Sequence, residues 1–101
     1  NKVTGLRIRN NKTGEVSELA CNAVFVALGH VPNTGLFKAF IDTDAAGYVV
    51  LKGDTSMTKL AGVFAAGDCA DPRYRQAISA AGMGCKAGID AERYLESRHR
   101  H

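Results

Sequence analysis

Alternation of apolar and polar residues marks the first part of the chain. In "KVTGLRIRN" the apolar residues Val3, Leu6 and Ile8 stand between polar neighbours, and "EVSELA" resumes this pattern after "NKTG". The dipeptide Thr-Gly at the end of "NKTG" is a turn signal between the two alternating segments. The pattern therefore predicts a β-hairpin with one face exposed to water.

Two continuous apolar runs predict buried strands. The first, "AVFVAL", spans Ala23–Leu28, and the second, "VFAA", ends at Gly67 and Asp68. Continuous runs of this kind are typical of strands covered on both faces. We also expect a short strand at "YVVL" and a helical turn at residues 36–40. The polar, turn-rich stretch "KGDTSMTKLAG" is expected to lie on the surface.

The last predicted element is a helix from about Tyr74 to Ser97. Asp71 is of a type that caps helices, and Pro72 suits the first helical position. A stripe of almost wholly small residues follows one face at helical steps: Ala77, Ala81, Gly84, Gly88, Ala91 and Leu95. Because glycine in a helix interior is unfavourable, the stripe indicates close packing. The partner is either the chain's own sheet or segments outside this chain.

Composition narrows the classes of function. The chain has 101 residues and a net charge of +3, and its basic residues form no stripe with interleaved aromatics. We therefore expect no nucleic-acid partner. No apolar run approaches the roughly 20 residues that span a membrane, so no membrane partner is expected. The chain begins on a strand pattern without Met, which leads us to expect a fragment.

Cysteine usage fits a reducing compartment. The chain has three cysteines, Cys21, Cys69 and Cys85, which is an odd number with no C-x-x-C pair. Disulfides are not expected, in agreement with a cytoplasmic setting. No Cys and His residues have the spacing of metal ligands, so no metal site is predicted.

Candidate chemistry concentrates after the second apolar run. Asp68 stands at the carboxyl end of a predicted strand, where open α/β sheets bind ligands. Its carboxylate either accepts hydrogen bonds from sugar or ribityl hydroxyls or caps the next helix. Arg75, Gln76 and Ala77 lie at the helix start, where free N–H groups favour negative charge. His30 has no acid or base near it in sequence, and we assign it no catalytic role.

The motifs in this chain resemble those of one family. "FVALGHVPNTGLF", the "TSMTKLAGVF" lead-in and "GVFAAGDCADPRYRQAISAAGMGCKAGIDAERYL" are similar to the C-terminal part of low-molecular-weight thioredoxin reductases. The resemblance covers nearly the whole chain. The combination of G-H-x-P-N-T with Gly-Asp and Tyr-Arg-Gln-Ala favours this family over ferredoxin–NADP reductases and the flavoprotein reductases of peroxiredoxins.

The resemblance implies an α/β fold with a hairpin, a partial FAD-binding (Rossmann-like) sheet and one long C-terminal helix. Residues 1–28 would be terminal strands of the NADPH-binding domain, and residues 29–101 the C-terminal half of the FAD-binding domain. In that family the turn of Gly67 and Asp68 would meet the FAD ribityl chain. Arg75, Gln76 and Ala77 would lie at the isoalloxazine edge. Thioredoxin would be the partner of the full enzyme, which would be a homodimer.

Three family motifs are absent from this chain: the G-x-G-x-x-G for FAD, the second glycine motif for NADPH, and the redox-active C-x-x-C. The FAD site would therefore be partial, and we expect the isolated chain to be inactive. Two alternatives stay open. One is a non-catalytic assembly fragment that forms homo-oligomers without flavin. The other is the same portion of a ferredoxin–NADP reductase-like flavoenzyme.

Overall fold

The computed structural model describes residues 1–100, and it confirms the predicted hairpin. Strand β1 (Gly5–Arg9) pairs antiparallel with β2 (Val16–Ala20), with Leu6 opposite Leu19. The turn is closed by hydrogen bonds from the Asn10 N–H to the Glu15 carbonyl and from the Gly14 N–H to the Asn10 carbonyl. The predicted water-exposed face is present, and in the described residues the apolar side chains of Ile8, Val16 and Leu19 are exposed as well.

The first apolar run does not form the predicted strand. Residues 23–28 have no strand assignment, and the side chain of Phe25 is 95% exposed. Val26 and Leu28 are also exposed. A central strand exists only where neighbouring strands take up its backbone N–H and C=O groups, and in residues 1–100 no strand pairs with this segment.

The middle of the chain is held by isolated bridges rather than by a continuous sheet. Thr43 pairs with Val49, and Met57 pairs with Phe64, so that "YVVL" and "VFAA" each contribute one bridged residue. The buried apolar residues are Ile41, Tyr48 and Val49. The predicted helical turn appears as a short 3-10 segment at Gly35–Phe37.

The segment "KGDTSMTKLAG" was expected at the surface, but two of its polar residues are among the most buried. Thr58 is 1% exposed, and Ser56 is also buried. The Thr58 hydroxyl donates to the Val63 carbonyl at 2.8 Å and accepts the Leu60 N–H at 3.2 Å. Hydrogen bonds of this kind offset the cost of burying a polar group, and they turn the loop back towards Phe64.

The long helix α1 spans Ala77–His99, as the sequence predicted apart from its start. Asp71 and Pro72 do not begin it, so that part of the prediction is wrong. The residue that precedes the first helical turn is Gln76. Arg75 has φ 50°, a left-handed conformation that cannot continue a right-handed helix. Asp71 instead accepts hydrogen bonds from backbone N–H groups in a separate turn that precedes α1.

The small-residue stripe of α1 faces away from the rest of the chain. A Cβ atom built on Gly84 or Gly88 would meet no atom within 4 Å. Ala77, Ala81 and Leu95 are exposed as well. In the described residues the chain's own sheet therefore does not cover most of the stripe, although Ala91 is half-buried.

The opposite face of α1 is anchored to the loops by polar and aromatic contacts. The Ser56 N–H and hydroxyl both donate to Asp90 Oδ2, at 2.9 and 2.7 Å. The Tyr94 ring meets Phe64 edge-on, with 6.0 Å between ring centroids. A Cβ on Gly62 would lie 3.0 Å from the Tyr94 ring, so glycine permits this close approach. These contacts fix the helix relative to the turn that precedes it.

The chain is elongated, measuring 70 × 26 × 23 Å, with a radius of gyration of 20.9 Å. A compact domain of this length has a radius of gyration of about 13 Å. Neither strand packs extensively against α1 in the described residues. None of the helices there combines the length and apolar character needed to cross a membrane. The same residues hold no cluster of His, Cys, Asp or Glu suited to a metal ion.

The Asp90 contact predicts an acid-sensitive contribution to stability. Hydrogen bonds from the Ser56 hydroxyl and the Ser56 N–H hold the pKa of Asp90 below its usual value. Because the folded pKa is lowered, this contribution is present above the unfolded pKa of about 3.9 and is lost as the pH falls through the folded value. We expect Asp90→Asn to lower the melting temperature at pH 6, and the difference from the unmodified protein to shrink progressively as the pH falls below about 4.

Thermal unfolding followed by circular dichroism between pH 3 and pH 7 measures this difference. Glu92→Gln removes a negative charge from an exposed position of the same helix and serves as the control. A difference between Asp90→Asn and the unmodified protein that stays constant down to pH 3 would contradict the assignment.

Candidate functional site

The turn at Gly67 and Asp68 adopts a backbone conformation that requires glycine. Gly67 has φ 85° and ψ −161°, a region that is essentially restricted to glycine. A short 3-10 helix, Asp68–Ala70, follows it, closed by a hydrogen bond of 3.0 Å from the Ala70 N–H to the Gly67 carbonyl. Asp68 is thereby left with an exposed side chain at the end of the second apolar run.

Asp68 borders an open cavity of about 240 Å³ that brings together three distant parts of the chain. One wall comes from the segment after the first apolar run, one from the Tyr48 region, and one from the Asp68–Arg75 turn. The lining residues are His30, Val31, Pro32, Asn33, Tyr48, Asp68, Cys69 and Arg75. Two of the predicted site residues, Asp68 and Arg75, therefore face one space.

Tyr48 connects the two sides of this cavity. Its side chain is buried, and its hydroxyl accepts a hydrogen bond of 3.0 Å from Arg75 Nη1. The neighbouring Val49 N–H donates to the Cys69 carbonyl at 2.8 Å, which ties the same segment to the 3-10 turn after Asp68. The Arg75 guanidinium is thus held by a contact 27 residues away in sequence.

Asp71 organises the turn between Asp68 and α1. Its carboxylate accepts hydrogen bonds from the backbone N–H groups of Arg73, Tyr74 and Arg75, at 2.9 to 3.0 Å. The bonds from Tyr74 and Arg75 contribute most to holding the pKa of the Asp71 carboxyl below its usual value. The carboxylate is therefore charged at neutral pH, and it fixes the path of the chain up to Arg75.

Gln76 and Ala77 lie next to Arg75, outside the lining of the cavity. The Gln76 N–H donates to Ser79 Oγ at 3.2 Å, and its side-chain amide donates to the Tyr74 carbonyl at 3.1 Å. Ala77 is the first residue of α1. The Gln76 side chain accepts the Ser79 N–H, whereas the N–H groups of Ala77 and Ile78 have no acceptor within the helix and are available to an anion or a polarised carbonyl.

These residues fit part of an FAD site. A carboxylate on the cavity, a guanidinium and a helix N-terminus supply an acceptor for hydroxyls and donors for an electron-rich ring edge. A cavity of about 240 Å³ is smaller than the ~300–1,000 Å³ of small-molecule sites, whereas FAD is a large dinucleotide. The chain by itself would therefore enclose only a part of the cofactor.

Sequence reasoning missed the contributions of Tyr48 and Asp71 to this region. The sequence pattern at Asp71 and Pro72 predicts a helix cap. The same pattern is also typical of a turn in which the Asp side chain accepts hydrogen bonds from the backbone N–H groups that follow the proline. The hydrogen bond between Tyr48 and Arg75 has no local signal, because its partners are far apart in sequence. His30, to which no catalytic role was assigned, lines the same cavity.

Comparison with known proteins identifies the protein family of this chain and several similar members of it. The chain belongs to the family described as pyridine nucleotide-disulphide oxidoreductase, whose family model matches residues 1–84. Within it, the chain is similar to a thioredoxin reductase of Streptomyces clavuligerus, with 55% identity over 93% of this chain and 29% of that protein. It is also 57% identical to a bifunctional thioredoxin reductase/thioredoxin of Mycobacterium leprae, over 92% of this chain and 20% of that protein.

Solved structures agree with these sequence relatives. A thioredoxin reductase from Giardia duodenalis superposes with a TM-score of 0.76 and 47% identity, over 92% of this chain and 31% of that one. The α/β class and the resemblance to thioredoxin reductases are therefore confirmed. The chain spans about a third or less of the length of the relatives that it matches. Its place at the C-terminal end of such a protein stays a prediction.

The Gly67 turn yields a test of the backbone that shapes the site. We expect Gly67→Ala to destabilise the chain by about 1–3 kcal/mol, because alanine resists this conformation. Crowding is not the cause, since the added Cβ would lie 3.8 Å from the Ala80 Cβ, an ordinary contact. Urea denaturation followed by circular dichroism measures the change.

Gly82→Ala is the matched control for this substitution. Gly82 lies inside α1, where a Cβ would meet no atom within 4 Å. Alanine there should stabilise the helix by about 1 kcal/mol. Equal effects of the two substitutions would show that the conformation of Gly67 does not matter.

Proposed function

We propose that this chain is part of an FAD-dependent, NADPH-linked thioredoxin-disulfide reductase and supplies the ribityl and isoalloxazine-edge side of its FAD site. The observation that carries the proposal is the cavity shared by Asp68 and Arg75, directly before the N-terminus of α1. Similarity to thioredoxin reductases supports the cofactor and the class of reaction.

Each residue has a defined part in this proposal. The Asp68 carboxylate accepts hydrogen bonds from ribityl hydroxyls. The Arg75 guanidinium and the Ala77 N–H at the start of α1 lie with Gln76 at the isoalloxazine edge, where they stabilise negative charge. Gly67 allows the turn that presents Asp68. When bound, FAD supplies the redox chemistry that carries electrons from NADPH to a disulfide.

We further propose a division of the chain at Gly29. Residues 1–28 would belong to the NADPH-binding domain, and residues 29–101 would form the C-terminal half of the FAD-binding domain. The hairpin supports this division, because β1 and β2 pack on each other and not extensively on α1 in residues 1–100. The exposed segment 23–28 would then become a strand inside a larger sheet.

The proposal makes thioredoxin the protein substrate and a homodimer the state of the full enzyme. Because the sequence of this chain contains no C-x-x-C, the isolated chain should have no disulfide reductase activity. The cytoplasmic setting inferred from the free cysteines belongs to the same proposal.

The exposed stripe of α1 favours one rival function. A non-catalytic assembly fragment would use Gly84, Gly88 and their neighbours to form homo-oligomers without flavin. A ferredoxin–NADP reductase-like flavoenzyme is the other alternative. A purified full-length protein without flavin absorbance would support the assembly fragment. A flavin-containing protein without activity on thioredoxin would support the ferredoxin–NADP reductase-like flavoenzyme.

We expect Asp68→Ala, made in the full-length protein that contains this chain, to weaken FAD binding by about 10- to 100-fold. This range corresponds to the loss of hydrogen bonds to a charged acceptor, about 1.5–3 kcal/mol. Titration of the apoprotein with FAD, followed by flavin fluorescence, measures the affinity.

Asp42→Ala is the control, because Asp42 is an exposed aspartate that pairs with Lys59 and does not line the cavity. Unchanged affinity of the Asp68→Ala protein would contradict the assignment of the ribityl contact. A full-length protein that binds no flavin would contradict the proposed function itself.

The division of the chain is tested by hydrogen exchange at residues 22–33. In residues 1–100 no strand pairs with this segment, so its amides should exchange within seconds in the isolated chain. In the full-length protein we expect residues 23–28 to be strongly protected as a central strand. Mass-spectrometric exchange of both proteins, with the peptide of β2 as the internal reference, measures the difference. Fast exchange in both proteins would contradict the strand.

A further inference from the structure

Arg75 has a backbone conformation that needs an external cause. In residues 1–100 it is the one non-glycine residue with positive φ, at 50°. This left-handed region is unfavourable for a residue with a Cβ, and such conformations persist where the surroundings impose them. The conformation also ends the turn before α1 and sets the direction in which the Arg75 side chain leaves the backbone.

The Asp71 carboxylate imposes this conformation from the backbone side. Oδ1 accepts the N–H groups of Arg73 and Tyr74, and Oδ2 accepts the Arg75 N–H at 3.0 Å. Both oxygens are therefore used, and the side chain is only 8% exposed. The chain winds around one buried carboxylate and reaches Arg75 with its N–H already directed inward.

Tyr48 fixes the other end of Arg75. Its hydroxyl accepts the hydrogen bond from Arg75 Nη1 at 3.0 Å, and the tyrosine is 6% exposed. The Tyr48 N–H in turn donates to Asp44 Oδ1 at 2.9 Å. The guanidinium is thus held by protein contacts on the cavity that it shares with Asp68.

We propose that Asp71 and Tyr48 are positioning residues that together place the Arg75 guanidinium at the flavin edge of the site. The inference rests on the proposed function, since it assumes that the cavity receives FAD. In this proposal neither residue acts on the reacting atoms directly. Asp71 fixes the backbone and Tyr48 fixes the side chain, so the positive charge is in place before the cofactor binds. Such pre-organisation lowers the cost of binding and favours the reduced, more negative flavin.

The test uses the full-length, FAD-loaded protein and reads the flavin midpoint potential and the FAD affinity. Asp71→Asn replaces one acceptor oxygen with an NH2 group, and Tyr48→Phe removes the hydroxyl alone. We expect each variant to shift the midpoint potential to more negative values and to weaken FAD binding roughly five- to tenfold. If Asp71→Asn does not fold, Tyr48→Phe still tests the positioning of Arg75.

A double variant shows whether the effect passes through Arg75. In an Arg75→Ala background, Asp71→Asn and Tyr48→Phe should shift the potential no further, because the charge that they position is gone. Asp90→Asn is the matched control: it makes the same carboxylate-to-amide change at a residue that also accepts a backbone N–H, away from the cavity. It should destabilise the protein without moving the potential.

Two results would overturn the proposal, and they have different meanings. If Arg75→Ala shifts the potential but Asp71→Asn and Tyr48→Phe do not, these residues do not position Arg75, and the proposed function is unaffected. If Arg75→Ala leaves the potential unchanged as well, Arg75 is not at the flavin edge, and the site assignment fails together with the positioning proposal.

Discussion

The carboxylate of Asp71 is the interaction on which the rest of the candidate site depends. It gathers three consecutive backbone N–H groups and so determines where the turn ends and where α1 begins. Without it, neither the direction of Arg75 nor the position of the helix N-terminus would be defined. The pair of hydrogen bonds from Ser56 to Asp90 has a related role further along α1, because it fixes the helix against the loop that leads to Phe64.

Local patterns predicted the elements whose stability is local. The hairpin was predicted correctly because alternation and a turn signal are both contained in 20 residues, and its hydrogen bonds are made within the same segment. The presence of α1 was predicted for a similar reason. Its start was placed too early because Asp71 followed by Pro72 matches a helix cap, whereas the structure uses that carboxylate in a separate turn.

Elements that depend on distant partners were not predictable in this way. The run Ala23–Leu28 has the composition of a buried strand, but a strand needs neighbours, and in the described residues none pairs with it. Thr58 shows the reverse case, since a polar residue in a turn-rich segment became buried once two carbonyls and an N–H surrounded its hydroxyl. The pairing of Tyr48 with Arg75 likewise exists only after the chain has folded back.

The candidate site depends on hydrogen bonds, whereas the exposed apolar surface lacks hydrophobic packing in the described residues. Hydrogen bonds to the Asp71 carboxylate, the Tyr48 hydroxyl and the Cys69 carbonyl shape one side of the cavity, and all of them lie between residues 48 and 75. The apolar segment 23–28 and most of the stripe of α1 are instead exposed in the described residues, and burying a side chain such as Phe25 or Leu28 would be worth about 1.5–3 kcal/mol. The hydrogen bonds of the candidate site can therefore all form although the apolar segment 23–28 and most of the stripe of α1 are not packed against other described residues. Tight cofactor binding would need both the hydrogen bonds and the hydrophobic packing. The hydrogen bonds orient the ligand, and the packed surroundings exclude water and thereby strengthen those hydrogen bonds.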